Sequence, residues 1–327
     1  MRFTPSRRFV CIGTVVVVLF IACNALLTAM ANPQSSIVNR QTVEWPVYAH
    51  DNASSKYSPL DQINAKNVKD LRIAWRWTCV DEPILKERSI QTWLNEGTPI
   101  MIGGVLYVST SLSQCAAIDA ATGKTLWVYD PHCYENGFKP TNLGWLHRGV
   151  AHWGSGDDAR IVYGTGDAWL ICLNAKTGQQ VASFGDNGRI DLTQGLGRPV
   201  DRKFYAVTSP PIICRDVVII GSSILDFPVL KAMPPGDVRG FDVRTGKLLW
   251  TFHAVPHKGE LGNETWEGDA ADHTGSANVW TLMSADDELG YVYLPLSTPS
   301  NDFYGGHRRG DGQDAVGVRS TLLRERL

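Results

Sequence analysis

The 327-residue chain lacks an excess of either charge: 31 Lys and Arg stand against 33 Asp and Glu, a formal net charge of -2. Nucleic-acid binding rests on a cationic surface, so this balance argues against that class of partner. No C-x-x-C pair and no C-x-x-C-H segment occurs, which argues against structural zinc and covalent haem. Two of the seven cysteines, Cys11 and Cys23, lie in an N-terminal apolar run. Cys79, Cys115, Cys133, Cys172 and Cys214 remain. That odd set allows at most two disulfides and one free thiol, with no readable pairing. Beyond the N-terminus there is no long amphipathic helical pattern.

The chain is rich in glycine (31) and tryptophan (11), both spread evenly. That composition fits a turn-rich all-β protein. At the N-terminus Arg2, Arg7 and Arg8 precede "FVCIGTVVVVLFIACNALL", and Ala29-Met30-Ala31 has the small-x-small form of a cleavage site. Residues 1–31 therefore read as an export signal, cleaved or retained as a membrane anchor, which places the body of the protein in the periplasm.

Short β-rich runs separated by Gly, Asn and Asp turns follow. "TPIMI", "VLYVSTS", "QCAAIDA" and "TLWVYD" predict four antiparallel strands joined at Gly103-Gly104 and Thr122-Gly123. The motif "AAIDAATGKTLW" recurs as "CLNAKTGQQVASF" and "GFDVRTGKLLW", with Gly123, Gly178 and Gly246 separated by 55 and 68 residues. A fourth unit opens at "NVWTLMSADDELGYVYLPLS". Recurring four-stranded sheets of this length predict blades of a β-propeller. The repeat serves the fold. Asp119 or Asp242 accepts backbone hydrogen bonds within its turn, glycine takes the left-handed position, and the following Trp or Phe packs between sheets. Function has to be sought outside the repeat.

"WPVYAHDNASSKYSPLDQINAKNVKDLRIAWRWT" (45–78), "EGTPI", "HRGVA" and the tryptophan-turn repeats occur in one order. Together they resemble the dehydrogenases that depend on pyrroloquinoline quinone (PQQ), from about residue 45 to 306. "PPGDVRGFDVRTGKLLWTFHAVPHKGE" and "YLPLSTPSNDFYGGHR" are most similar to the glucose, or sugar, branch. The resemblance implies an eight-bladed propeller, of which residues 32–306 supply three to four blades. It also implies oxidation of an aldose to its lactone, with electrons passed to a membrane quinone. PQQ is a flat tricarboxylated orthoquinone, which calls for cations, a flat apolar floor and a divalent ion. By resemblance Glu96 hydrogen-bonds the cofactor, Arg148 pairs with a carboxylate, Thr208 and Ser223 are small polar neighbours, and Trp280 is the floor. Asp226 and Thr298 fall at the metal-ligand positions for Ca²⁺ or Mg²⁺.

Departures from the family pattern narrow the reading. Phe227 follows Asp226 where the sugar branch often has asparagine, and Thr298 replaces the asparagine of alcohol-oxidising members. Those members also carry adjacent cysteines ahead of the "RGVA" arginine; "NLGWLHRGVA" has none. The alternatives are a quinoprotein alcohol dehydrogenase and a non-catalytic propeller scaffold. The family's general-base aspartate belongs to a later Trp- and Asp-rich loop that does not occur here. In relatives the strand around "LRIAWRW" pairs with C-terminal strands, and this chain is expected to keep that strand and lack its partner. Residues 307–327 read as a non-family tail without strand alternation, as in a truncated or frameshifted frame. The expectation is a chain that by itself turns over no substrate.

Overall fold

The computed structural model describes residues 44–322, apart from 93, 141, 143, 228–229, 301–303, 307 and 311–316. The export signal at 1–31 lies outside the described residues. Where the first motif predicts four strands, the chain forms β1 (Ile100–Ile102), β2 (Val105–Ser109), β3 (Cys115–Asp119) and β4 (Thr125–Tyr129), paired antiparallel in chain order. The second sheet is β5 (Ala151–Trp153), β6 (Arg160–Gly164), β7 (Trp169–Asn174) and β8 (Arg189–Asp191). A small ribbon of β9 (Tyr205–Ala206) and β12 (Ser223–Ile224) flanks the third sheet. That sheet holds β10 (Ile212–Cys214), β11 (Val217–Ile220), β13 (Val238–Asp242) and β14 (Leu248–Phe252). In the fourth unit β15 (Ser284–Asp286) pairs with β16 (Tyr291–Leu296). Helices are confined to short pieces such as Glu82–Arg88 and Ala270–His273, and no helix among the described residues is long and apolar enough to cross a membrane.

Alternation along the strands accounts for the stacking of these sheets. Successive side chains point to opposite faces, and both faces of an inner blade are covered, so near-continuous apolar strands result. In the third blade Ile212, Cys214, Val217 and Ile219 face Ala285, Val292, Leu294 and Leu296 of the fourth. The intervening Ile213, Val218 and Ile220 face the second blade, against Val162, Leu170 and Cys172. On the other side of the second blade, Ile161, Tyr163, Ile171 and Leu173 meet Ile100, Tyr107, Cys115 and Ala117 of the first. Cys115, Cys133, Cys172 and Cys214 are buried and Cys79 half-buried, and all five are free thiols. Burial pushes the Cys172 and Cys214 thiols up to about 12, so they behave as small apolar side chains.

The repeated turns carry the expected chemistry. Asp119 Oδ1 accepts hydrogen bonds from the Thr122 amide (2.8 Å) and hydroxyl (2.7 Å), and Asp242 Oδ1 receives the same pair from Thr245 (2.7 and 2.7 Å). Asn174 does so in the second copy. Gly123 and Gly178 adopt φ of 72° and 71°. Each also serves as the floor for a tryptophan from an earlier segment. The Trp75 indole lies on Gly123 and donates to the Ala120 carbonyl (3.1 Å), while Trp127 lies on Gly178 and donates to Ala175 (2.9 Å). The second copy has Ala182 where the first has Trp127, so the chain of indoles is interrupted. There the Gly185 amide bonds directly to Thr245 (2.8 Å).

Two segments depart from the sequence expectations. Residues 71–79, around "LRIAWRW", form no strand; Trp75 and Trp77 dock instead on the first blade, the latter through Thr125 (2.9 Å). The stretch read as a tail without strand alternation contributes β17 (Gly317–Leu322), which pairs antiparallel along the whole of β16. A strand edge left by β16 offers backbone partners to any segment of sufficient length, and that outweighs the weak apolar alternation of the segment itself.

The docking turns give a stability test. A Cβ at Gly178 would lie 2.6 Å from the Trp127 ring, whereas one at Gly103, also left-handed at φ 59°, would meet nothing within 4 Å. Gly103→Ala is expected to cost about 1–2 kcal/mol from the left-handed backbone alone. Gly178→Ala is expected to cost clearly more, read as a lower urea midpoint; equal losses would remove the docking role of the indole.

Candidate functional site

Glu96, Arg148, Thr208 and Trp280 occupy matching places in the architecture. Each stands three or four residues ahead of the edge strand that opens its blade: β1, β5, β10 and β15 respectively. Stacking the blades brings these four positions together. Backbone bonds hold the convergence, since the Thr98 amide donates to the Arg148 carbonyl (3.0 Å) and the Arg148 amide to Thr208 (2.9 Å).

Arg148 is the centre of the group, with its side chain 9% exposed. A guanidinium so buried requires counter-charge and acceptors. Its Nε meets Glu96 Oε2 at 2.7 Å. Its Nη1 donates to Thr208 Oγ1 (3.0 Å) and Ser209 Oγ (3.3 Å). Nη2 has no hydrogen-bond partner among the described residues. The guanidinium carbon lies 5.3 Å from the centroid of the Trp280 ring, within cation–π range. Ser209 Oγ in turn donates to the Trp280 carbonyl (2.6 Å), fixing the backbone that carries the indole.

These side chains border a cavity of about 130 Å³, lined by Asn142, Gly144, Leu146, Arg148, Thr208, Ser223, Asp226 and Trp280. Trp280 is 45% exposed, so its ring forms an open wall. Glu96 stands behind Arg148 and touches the cavity only through that pairing. Thr298 is not among the lining residues; its carbonyl accepts from the Ala277 amide (3.0 Å) in the segment leading to Trp280. The sequence reading missed Asn142, which stitches two loops of the cavity wall: its Oδ1 accepts the Asp226 amide (2.8 Å) and its Nδ2 donates to Ile224 (2.8 Å). It also missed Ser209 and buried Asn278, whose amide group spans Ser222 and Ser297. All three lie close in sequence to recognised residues, but small polar side chains in loops carry no signal until their partners are known.

One element of support lies directly beneath. His147 is fully buried, with Nε2–H donating to the Gly164 carbonyl (2.6 Å) and Nδ1 accepting from Ser109 (2.6 Å). Burial holds its pKa down to about 4, with Arg148 adding to the effect. The ring is therefore neutral and fixes the backbone on which Arg148 stands.

Three four-stranded sheets and a three-stranded one, stacked side by side with a cavity at the starts of their opening strands, define the blades of a β-propeller. The sequence profile of the PQQ family, described as the glucose/ethanol/alcohol dehydrogenase β-propeller domain, matches residues 45–318. The chain belongs to this family of PQQ-dependent dehydrogenases. It is 33% identical over 312 residues to the quinoprotein glucose dehydrogenase of Escherichia coli K12, covering 87% of this chain and 36% of that one. To the glycerol dehydrogenase large subunit of Gluconobacter oxydans 621H it is 31% identical over 275 residues, covering 81% and 35%. Among solved structures, the quinohemoprotein alcohol dehydrogenase of Comamonas testosteroni superposes with a TM-score of 0.64 at 30% identity, covering 79% of this chain and 36% of that one. The chain thus spans about a third of the length of these relatives. Relatives named for glucose, glycerol and alcohol stand at nearly equal identity, so the family is fixed and the substrate is not.

His147 supplies a pH test. Its folded pKa of about 4 lies below the ordinary histidine value of 6.5. As pH falls through that window the unfolded chain gains a proton that the folded chain does not. Stability is therefore fully present above about pH 6.5 and is expected to fall by about 2–3 kcal/mol towards pH 4. Urea midpoints measured from pH 7.5 to 4.5 read this slope, which His147→Gln should flatten.

Proposed function

We propose that the cavity beside Trp280 holds PQQ, and that the protein serves the oxidation of a sugar hydroxyl, of the aldose-to-lactone kind, in the periplasm. The observation that carries the reading is the pair of Arg148 and Trp280 on one cavity, with Glu96 paired to the guanidinium and one of its nitrogens left without a partner among the described residues. This donor set fits a flat polycarboxylate. Arg148 would pair with a carboxylate through Nη2, its charge held in place by Glu96 behind it. Trp280 would present a flat apolar face, and Thr208 and Ser223 would offer hydroxyls at the rim. Asp226 is the one carboxylate among the described lining residues, and with hydroxyl and amide oxygens around it the wall suits a hard cation such as Ca²⁺ or Mg²⁺. Thr298 is proposed as a further metal contact by resemblance alone. When bound, PQQ supplies a two-electron acceptor for an alcohol C–H bond, and a membrane quinone is the proposed onward acceptor.

The part played by this chain's own residues is positioning. Glu96 and the two hydroxyls from Thr208 and Ser209 lock the guanidinium plane before any ligand arrives, which reduces the ordering cost on binding. The same hydroxyl of Ser209 fixes Trp280, so the floor and the cation are set by one network. The sugar reading rests on the resemblance around "PPGDVRGFDVRTGKLLWTF" and the missing adjacent cysteines; a primary alcohol or polyol is the second reading, favoured by the relatives named for alcohol and glycerol.

Titration of the full chain with PQQ in the presence of Ca²⁺, followed by quenching of tryptophan fluorescence, tests the site. Arg148→Ala is expected to weaken binding by about tenfold to a hundredfold, the worth of a charge-assisted pair. Unchanged affinity in that variant would sink the assignment. Calorimetry of the PQQ-loaded chain with glucose, glycerol and ethanol then separates the sugar reading from its alternative.

A further inference from the structure

A second group of ligating side chains lies outside this cavity, in the loop that follows β14. His253, His257 and Glu260 place their donor atoms within 4.8 Å of one another. His253 Nδ1 lies 2.8 Å from Glu260 Oε1, and the His253 and His257 rings stack at 3.6 Å between centroids with an 18° tilt. We propose that His253, His257 and Glu260 form a binding site for one first-row transition-metal ion of the zinc type, at the mouth of a cleft separate from the PQQ cavity.

The donor set points to this class. Two imidazoles and one carboxylate suit Zn²⁺, Ni²⁺ or Cu²⁺, whereas Ca²⁺ and Mg²⁺ demand about six or more oxygens. All three ligands come from the one short stretch 253–260, so closing the site costs little chain entropy. The loop is already shaped for it. Glu260 Oε2 accepts the His257 amide (2.8 Å), the Glu260 amide bonds back to the His257 carbonyl (2.9 Å), and Asn263 Nδ2 donates to Pro256 (2.9 Å). The two carboxylate oxygens of Glu260 therefore engage both histidine residues. Around one ion with bonds of about 2.0–2.2 Å the donor atoms stand roughly 3.4 Å apart, so the wider pairs must close, the 2.8 Å contact of His253 with Glu260 must open, and the stacked rings must splay. His257 and Glu260 are exposed and His253 only half-buried, so these side chains can make that adjustment.

The surroundings add a second observation. The cleft, about 250 Å³, is lined by His257 together with Asp237, Arg198 and Lys258, and shares no residue with the cavity at Trp280. Asp237 is 3% exposed, and no ion pair at salt-bridge distance is found for it among the described residues. Burial raises its pKa, while His253, His257 and Arg239 pull it down. A buried carboxylate near the histidine pair favours positive charge at the site. Three protein ligands leave one position open towards the cleft for water or an anionic ligand, and the ion fastens the 253–260 loop beside the third blade.

The test is calorimetric titration of the chelator-stripped full chain with Zn²⁺ at neutral pH, with Ca²⁺ in parallel. One equivalent of Zn²⁺ is expected, with Ca²⁺ not competing. His257→Asn and Glu260→Gln, both at exposed positions, should each weaken Zn²⁺ binding by at least about tenfold, since even outer-shell changes cost that much at metal sites. His257→Asn leaves the Glu260 bonds to the loop in place, so its metal-free thermal midpoint should match the parent, and its gain from a given Zn²⁺ concentration should be smaller than the parent's. Failure of the parent to take up Zn²⁺, or uptake unchanged in both variants, overturns the proposal. Equal binding of Ca²⁺ at the same residues overturns its metal class.

Discussion

A guanidinium buried as deeply as that of Arg148 has to be met from several directions at once, and no single loop can do that. Glu96 comes from the approach to the first blade, Thr208 and Ser209 from the approach to the third, and Trp280 from the approach to the fourth. The charge is tolerable only when all these approaches are in register with its own. Stacking of the sheets and construction of the site are therefore one problem, with the arginine as its shared constraint.

The blades reach that register through two devices. Apolar side chains alternate along each inner strand so that both faces are dry, and the tryptophans of one segment seat on the turn glycines of the next. The indole device is local and repeated, so each blade fixes the position of its neighbour. Where Ala182 interrupts it, a direct backbone bond from Gly185 to Thr245 takes over. Neutral His147, held between Ser109 and Gly164, ties the arginine's own segment to two blades without bringing a second buried charge.

The cavity and the histidine cluster divide the chemistry of the molecule. One presents a cation, a flat ring and oxygen donors, suited to an anionic planar ligand; the other presents nitrogen donors beside a carboxylate, suited to a softer ion. They sit on separate loops and share no lining residue. The near-equal likeness to dehydrogenases named for glucose, glycerol and alcohol is a likeness of the shared frame and selects no substrate for this chain.

Period-two apolar runs and Thr-Gly turns make the blades legible in the sequence, because strand alternation and left-handed turns are written over a few adjacent residues. The family resemblance, and not local pattern, pointed to Glu96, Arg148 and Trp280. Other features were beyond the sequence. The pairing of Gly317–Leu322 with β16 depends on an available edge, and the docking of Trp75 on Gly123 joins residues far apart in the chain. Asn142 became part of the site only through bonds to the distant Ile224 and Asp226, and Thr298 fell outside the cavity lining although its sequence position suggested a ligand. The sequence by itself determined the blades and the turns, since each depends on local pattern, while Arg148 was marked only by the family resemblance. Only the tertiary structure decided which polar side chains meet, since a hydrogen bond or an ion site exists through distance and burial, and neither is encoded in spacing along the chain.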